Sequence, residues 1–150
     1  MTSKASIEGF VTQPVLAVAG VSRDRNKFGN MAYRELRSKG YRVLAINPNA
    51  QTIEGDPCYP SLKDLPEKVV GLLIVTQPAV SEQMVREAVE AGIHHVWLQA
   101  GSETPAAIQF CREHGLDVVS GECMLMYQHH TGFGHKLHRV FKEAFGGKPS

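Results

Sequence analysis

Short apolar runs alternate with helical stripes along most of the chain. "VLAVAGVS" (Val15 to Ser22) is apolar and β-branched at consecutive positions, the pattern of a strand buried on both faces. "RVLAINP" (Arg42 to Pro48), "VVGLLIVTQP" (Val69 to Pro78), "HVWLQAG" (His95 to Gly101) and "LDVVSGECM" carry four more strand signals. A helix is expected from about Gly29 to Lys39, with Gly40 as its stop. "SEQMVREAVEAG" sets Met84, Val85, Ala88 and Val89 on one face, with Ser81 as cap and Gly92 as stop. The next helix has Thr104 at its N-cap and Pro105 at the first helical position, Ile108 and Cys111 inward, and Gly115 at its end. A last helix is predicted from about Gly132 to Phe145, with Phe133, Leu137, Val140, Phe141, Ala144 and Phe145 on one stripe. Residues 49–66 are rich in turn formers and predict an irregular connection, with one short helical turn at "SLKDL".

Five strand signals separated by helices predict a Rossmann-like, doubly wound α/β domain of three layers, whose five-stranded, mainly parallel sheet has the order 3-2-1-4-5. A single domain is expected over 1–150, with a core of about 10–128. Ligands on such sheets bind at the carboxyl ends of the strands. That rule nominates Gly20 to Asn30, Asn47-Pro48, Thr76-Gln77-Pro78, Gln99-Ala100-Gly101 and Gly121-Glu122-Cys123.

Composition narrows the ligand class. A formal charge of +1 argues against a nucleic-acid binder that works by backbone neutralisation. No apolar run approaches the ~20 residues of a membrane span, and "MTSKASIEGF" lacks the order of a signal peptide. Cys58, Cys111 and Cys123 are an odd number at scattered spacings. They read as reduced thiols in a cytoplasmic protein.

The loop "VAGVSRDRNKFGN" holds the first concentrated chemistry. Gly20 ends a strand, a helix N-terminus follows, Ser22 offers a hydroxyl, and Arg23, Arg25 and Lys27 add positive charge. Together these suit a ligand with more than one phosphate; the plainer alternative is a solvated loop with ordinary surface charges. The pattern is not G-x-G-x-x-G, since the next glycine is Gly29. An NAD site wants Asp or Glu at the end of the second strand. Here stand Asn47, Pro48 and Asn49, with Glu54 and Asp56 only later. Pro48 suits the face of an adenine, or simply ends the strand in a turn.

"VAGVSRDRNKFGN", "VLAINPN", "IEGDPCYPSLKDLP", "VWLQAG" and "VVSGECMLM" together resemble the small stand-alone CoA-binding proteins. These are similar to the N-terminal CoA-binding domain of the succinyl-CoA synthetase α subunit and of ADP-forming acyl-CoA synthetases. The resemblance covers roughly residues 10–128 and implies coenzyme A, or an acyl-CoA, as the small-molecule ligand. It implies that Gly20, Val21 and Ser22 line the pyrophosphate and pantetheine path, with Arg23 and Lys27 near phosphates. Asn30, at the end of the same loop, is expected among the cofactor-binding residues. Asn47 and Pro48 would border adenine and ribose, and Thr76, Gln77 and Pro78 the stretch from adenine to pantetheine. Gln99, Glu122 and Cys123 would face the thiol end. Two places depart from the family pattern. Asn49 stands where many members carry a lysine suited to the 3′-phosphate, and Tyr127 and Gln128 stand at a Glu and a His position. The synthetases act through a phosphorylated histidine in a further domain, so no enzymatic activity is expected of this one.

Other constellations are weaker. His129, His130, His135 and His138 cluster without H-x-x-x-H or H-E-x-x-H spacing, so no metal site is expected. Cys123 is read either as a thiol beside the CoA sulfur or as a small buried residue. The rival function is an NAD(P)-binding oxidoreductase or redox-sensing domain. An interaction module using the phenylalanine stripe is the third reading.

Overall fold

The computed structural model describes residues 3–127. The predicted helix at 132–145 and the histidines from 129 onward lie outside the described residues. The element order is α1 (Lys4–Val11), β1 (Val15–Ala19), α2 (Phe28–Ser38), β2 (Arg42–Ile46), β3 (Thr52–Ile53) and β4 (Asp56–Tyr59). After a 3-10 turn at Leu62–Asp64 follow β5 (Gly71–Ile74), α3 (Pro78–Glu90), β6 (His95–Leu98), α4 (Pro105–Glu113) and β7 (Asp117–Ser120), then a second 3-10 turn at Met124–Met126.

The strands form one sheet in the order β3-β4-β2-β1-β5-β6-β7. All neighbours are parallel except the β3–β4 hairpin. The Rossmann-like, three-layer expectation holds, with two corrections. The sheet has seven strands, because residues 52–59 of the supposed irregular connection form a hairpin. The order of the five predicted strands is also different: the predicted third strand, here β5, lies directly beside β1 rather than at the edge. The place beyond β2 belongs to β4. With β4 counted as the third strand, the main sheet reads 3-2-1-4-5-6.

Side chains alternate between two cores along each strand, as the pleat requires. On one face Leu16, Val18, Trp97 and Val119 pack under α1 and α2, with Phe10, Val11, Tyr33 and Leu36 closing the layer. On the other, Ala17, Ala19, Leu72, Ile74 and Val96 pack under Met84, Val85 and Ala88 of α3 and Ala107 and Cys111 of α4. Trp97 is fully buried and meets the Phe10 ring edge-on at 5.3 Å. Thr104 caps α4 as expected, accepting from Ala107 N at 3.0 Å. The cap of α3 is a correction. The helix begins at Pro78, with Gln77 as N-cap. Ser81 is buried within the first turns, its hydroxyl 2.7 Å from that of Thr76. Proline at the first helical position fixes φ there and costs no hydrogen bond, which starts the helix one turn early. Among the described residues, no helix is long and apolar enough to cross a membrane.

Candidate functional site

The strand order changes direction at β1, whose neighbours β2 and β5 lead away on opposite sides. The carboxyl ends of these strands therefore flank a crevice, and the β1–α2 loop stands over it. Gly20 has φ +112, and a Cβ there would lie 1.9 Å from the Val75 carbonyl oxygen. The chain can cross the end of β5 only without a side chain. Gly29, in the first turn of α2, serves a second close approach: its Cβ would lie 2.4 Å from the Gly20 carbonyl oxygen. The two glycines thus let α2 seat its N-terminus against the turn. The first-turn N–H groups of α2 point out of the helix with their partial positive charge.

Two buried amides shape the loop. Asn30 is fully buried. Its Oδ1 accepts from Ser22 N at 2.9 Å and its Nδ2 donates to Ser22 O at 2.7 Å. Asn47 donates from Nδ2 to Val21 O at 2.9 Å and accepts from Asn49 N at 2.7 Å. Both side chains bond backbone of the loop, Asn30 at Ser22 and Asn47 at Val21, and so fix the Val21–Ser22 peptides. The Ser22 hydroxyl accepts from Asp24 N at 3.1 Å, which tightens the turn further. Arg23 and Lys27 are exposed on the loop, Lys27 just before α2, and Pro48 follows half-buried Asn47 as an exposed residue.

Farther along the sheet, Thr76, Gln77 and Pro78 carry β5 into α3. Gln99 is buried and accepts from Met124 N at 3.0 Å, joining β6 to the segment after β7. Glu122 accepts from Trp97 Nε1 through its carbonyl at 2.9 Å and from the Tyr127 hydroxyl through its carboxylate at 3.0 Å. Cys123 is half-buried with a free thiol. Glu103 joins these loops, accepting from Gly101 N at 2.8 Å and Gly121 N at 3.0 Å. The expected residues thus fall into two hydrogen-bonded groups, one around Gly20–Ser22 with Asn30 and Asn47, the other around Gln99 and Glu122. The sheet order sets Thr76–Pro78 between them.

Three residues outside the expected set also shape the site: Glu54, which the sequence places only in the irregular connection, Arg34 and Glu103. Glu54 and Gly55, with φ +54 and +80, form the two-residue turn between β3 and β4. Positive φ at both positions is the type I′ hairpin geometry, which a non-glycine residue adopts at some cost. The turn carries the Glu54 carboxylate to α2 and the β1–α2 loop. Oε2 accepts from Asn30 Nδ2 at 2.9 Å and Arg34 at 2.8 Å, and Oε1 lies 3.4 Å from Arg25 Nε. Burial on its own pushes this carboxyl up; the Asn30 hydrogen bond and the Arg34 and Arg25 charges outweigh it and hold Glu54 below its ordinary value. Beside it, Asp56 accepts from the Tyr33 hydroxyl at 2.7 Å and pairs with Arg37. Burial, then the Asp56 contact, push the Tyr33 phenol well above its usual range. A cavity of about 460 Å³ opens between hairpin and loop, lined by Ser22, Arg23, Arg25, Asn30, Arg37 and residues 52–55. Burial pushes the Cys58 thiol up and that of Cys111 to about 11, away from the thiolate form. No group of three or more metal-ligating side chains occurs among the described residues.

The arrangement can hold an extended, phosphate-bearing ligand along the strand ends, and comparison with known proteins points the same way. The family model described as CoA binding domain matches residues 15–129. The ADP-forming acetate–CoA ligase I of Archaeoglobus fulgidus is 29% identical over 139 residues, which are 86% of this chain and 20% of the ligase. The chain therefore spans about a fifth of that relative's length. A conserved hypothetical protein of Pyrococcus furiosus is similar in structure with a TM-score of 0.70 and 39% identity, over 73% of this chain and 96% of that one. The dinucleotide-forming acetyl-coenzyme A synthetase 1 of Ca. Korarchaeum cryptofilum matches with a TM-score of 0.65 and 25% identity, over 75% of this chain and 27% of the synthetase. The chain belongs to the CoA binding domain family.

Proposed function

We propose that the protein binds coenzyme A, or an acyl-CoA, non-covalently across the carboxyl ends of its strands and makes or breaks no bond in it by itself. The observation that carries this reading is the family match over residues 15–129, which encloses every strand-end loop described above. The local geometry supports it. The Gly20 turn brings Val21 and Ser22 against the crevice, where their backbone lines the pyrophosphate and pantetheine path. Arg23 and Lys27 supply charge to the phosphates. Pro48 and the Asn47 turn border the adenine and ribose, and Thr76, Gln77 and Pro78 follow the ligand toward pantetheine. Gln99, Glu122 and Cys123 stand at the thiol end. Asn30 and Asn47 serve the ligand through the peptides they hold.

An NAD-type ribose clamp would need a carboxylate free to accept from hydroxyls. Glu54, brought close to this loop by the hairpin, is 3% exposed and already held by Asn30 and Arg34. Calorimetric titration with CoA, NAD and NADP tests the reading. CoA is expected to bind and to raise the melting temperature with ligand concentration. Binding of NAD, with no response to millimolar CoA, would overturn it.

A further inference from the structure

Glu54 places a negative charge at the mouth of a loop whose proposed ligand is anionic. Its two oxygens are used unequally. Oε2 is held by Asn30 and by Arg34, at 2.9 and 2.8 Å. Among the described residues, Oε1 meets the Nε of Arg25, at the longer distance of 3.4 Å. The Glu54 side chain is 3% exposed, whereas that of Arg25 is 72% exposed. Arg34 and Asn30 together already satisfy the buried carboxylate. Arg25 is therefore the partner that can leave at small cost, and it belongs to the loop that faces the crevice. Arg25 regains water when it leaves, and Glu54 keeps the shorter Arg34 contact at 2.8 Å, so the Arg25 pair is not what holds the hairpin in place.

We infer that Glu54 is an internal competitor for Arg25, a carboxylate occupying the guanidinium that an incoming phosphate would otherwise take, and so a specificity-determining residue of the ligand loop. A weakly charged ligand cannot displace it, whereas a ligand with a pyrophosphate group can. When the phosphate enters, Arg25 turns outward to it while Arg34 and Asn30 keep the carboxylate compensated. This rests on the CoA reading for the ligand's identity, but not for the exchange of partners.

The test is a double-mutant cycle on the full chain with Glu54→Gln, Arg25→Ala and the double variant, titrated by calorimetry with CoA and separately with inorganic pyrophosphate. Glutamine keeps a carbonyl for Asn30 and Arg34 while releasing Arg25. Glu54→Gln is expected to bind pyrophosphate about fivefold tighter, the effect of about 1 kcal/mol. In the Arg25→Ala background the same change is expected to give little gain, which separates release of Arg25 from simple loss of a negative charge. Equal gain in both backgrounds, or no gain in either, overturns the competitor role. Tightening toward pyrophosphate without any binding of CoA overturns the CoA reading and leaves the competitor role standing. Arg25→Ala, at an exposed side chain, keeps its fold and by itself is expected to weaken pyrophosphate binding; unchanged affinity would also overturn the inference.

Discussion

Gly20 and Gly29 show how close the backbone must come for the loop to exist. Alanine at a helical position ordinarily gains about 1 kcal/mol over glycine. At Gly29 the added Cβ would meet the Gly20 carbonyl oxygen at 2.4 Å. Gly29→Ala is therefore expected to destabilise the fold by about 2 kcal/mol, as overpacking against backbone does. Gly92 is the control: its φ is +76 but its Cβ would meet nothing within 4 Å. Gly92→Ala should cost only about 1 kcal/mol, the cost of the backbone conformation. Urea unfolding of both variants checks the pair, and a Gly29→Ala protein more stable than wild type would contradict the packing. At this scale the sequence showed where chemistry gathers more clearly than what each residue does. Asn30 and Asn47 sit among the expected contacts, but their amides are bonded to backbone 8 and 26 residues away. Nothing in local spacing names the peptide that an amide will meet.

The β3–β4 hairpin ties the first loop to the rest of the molecule. It is fastened to α2 twice, through Glu54 on Arg34 and Asn30 and through Asp56 on Tyr33 and Arg37. Tyr33→Phe is expected to cost about 1–2 kcal/mol, because it leaves Asp56 without the hydroxyl donor; equal urea midpoints would show that the contact contributes nothing. The Glu54 fastening has a pH signature. Its folded-state pKa is depressed, so its contribution is complete above the unfolded carboxyl value of about 4.3 and is lost as pH falls through the lower folded value. Glu54→Gln is then less stable than wild type near neutrality, by about 1–2 kcal/mol, and the gap closes in acid below about pH 4. A gap independent of pH would contradict this. The hairpin was not legible in the sequence because its strands have only two and four residues, include Pro57, and turn through Glu54-Gly55 rather than the usual Asn-Gly. Its omission also misplaced the third strand in the predicted order. Helix α1 was missed for a similar reason: Ile7, Phe10 and Val11 give it only one apolar turn, and that turn is stabilised by the sheet beneath. The strands buried on both faces and the capped helix α4 were legible, because burial and capping leave continuous apolar runs and fixed terminal residues.

Across the whole molecule, the two ends of the sheet differ in chemistry. The carboxyl ends hold the glycine turn, the loop cations and the two hydrogen-bonded groups around Ser22 and Gln99. The amino ends hold structural contacts, such as Asp117 accepting from Ser6 of α1, with His95 Nδ1 3.4 Å from its carboxylate. A shallow groove of about 530 Å³ near Leu62–Val69 and Glu90–Ile93 also lies there. The proposed ligand side is the first of these ends. Amide chemical-shift mapping during a CoA titration tests that most directly. Shifts are expected to concentrate at Gly20–Ser22, Thr76–Gln77, Gln99–Gly101 and Gly121–Cys123, with Lys63–Val69 and Glu90–Ile93 unmoved. Shifts centred on those amino-end segments, or none at millimolar CoA, would contradict it.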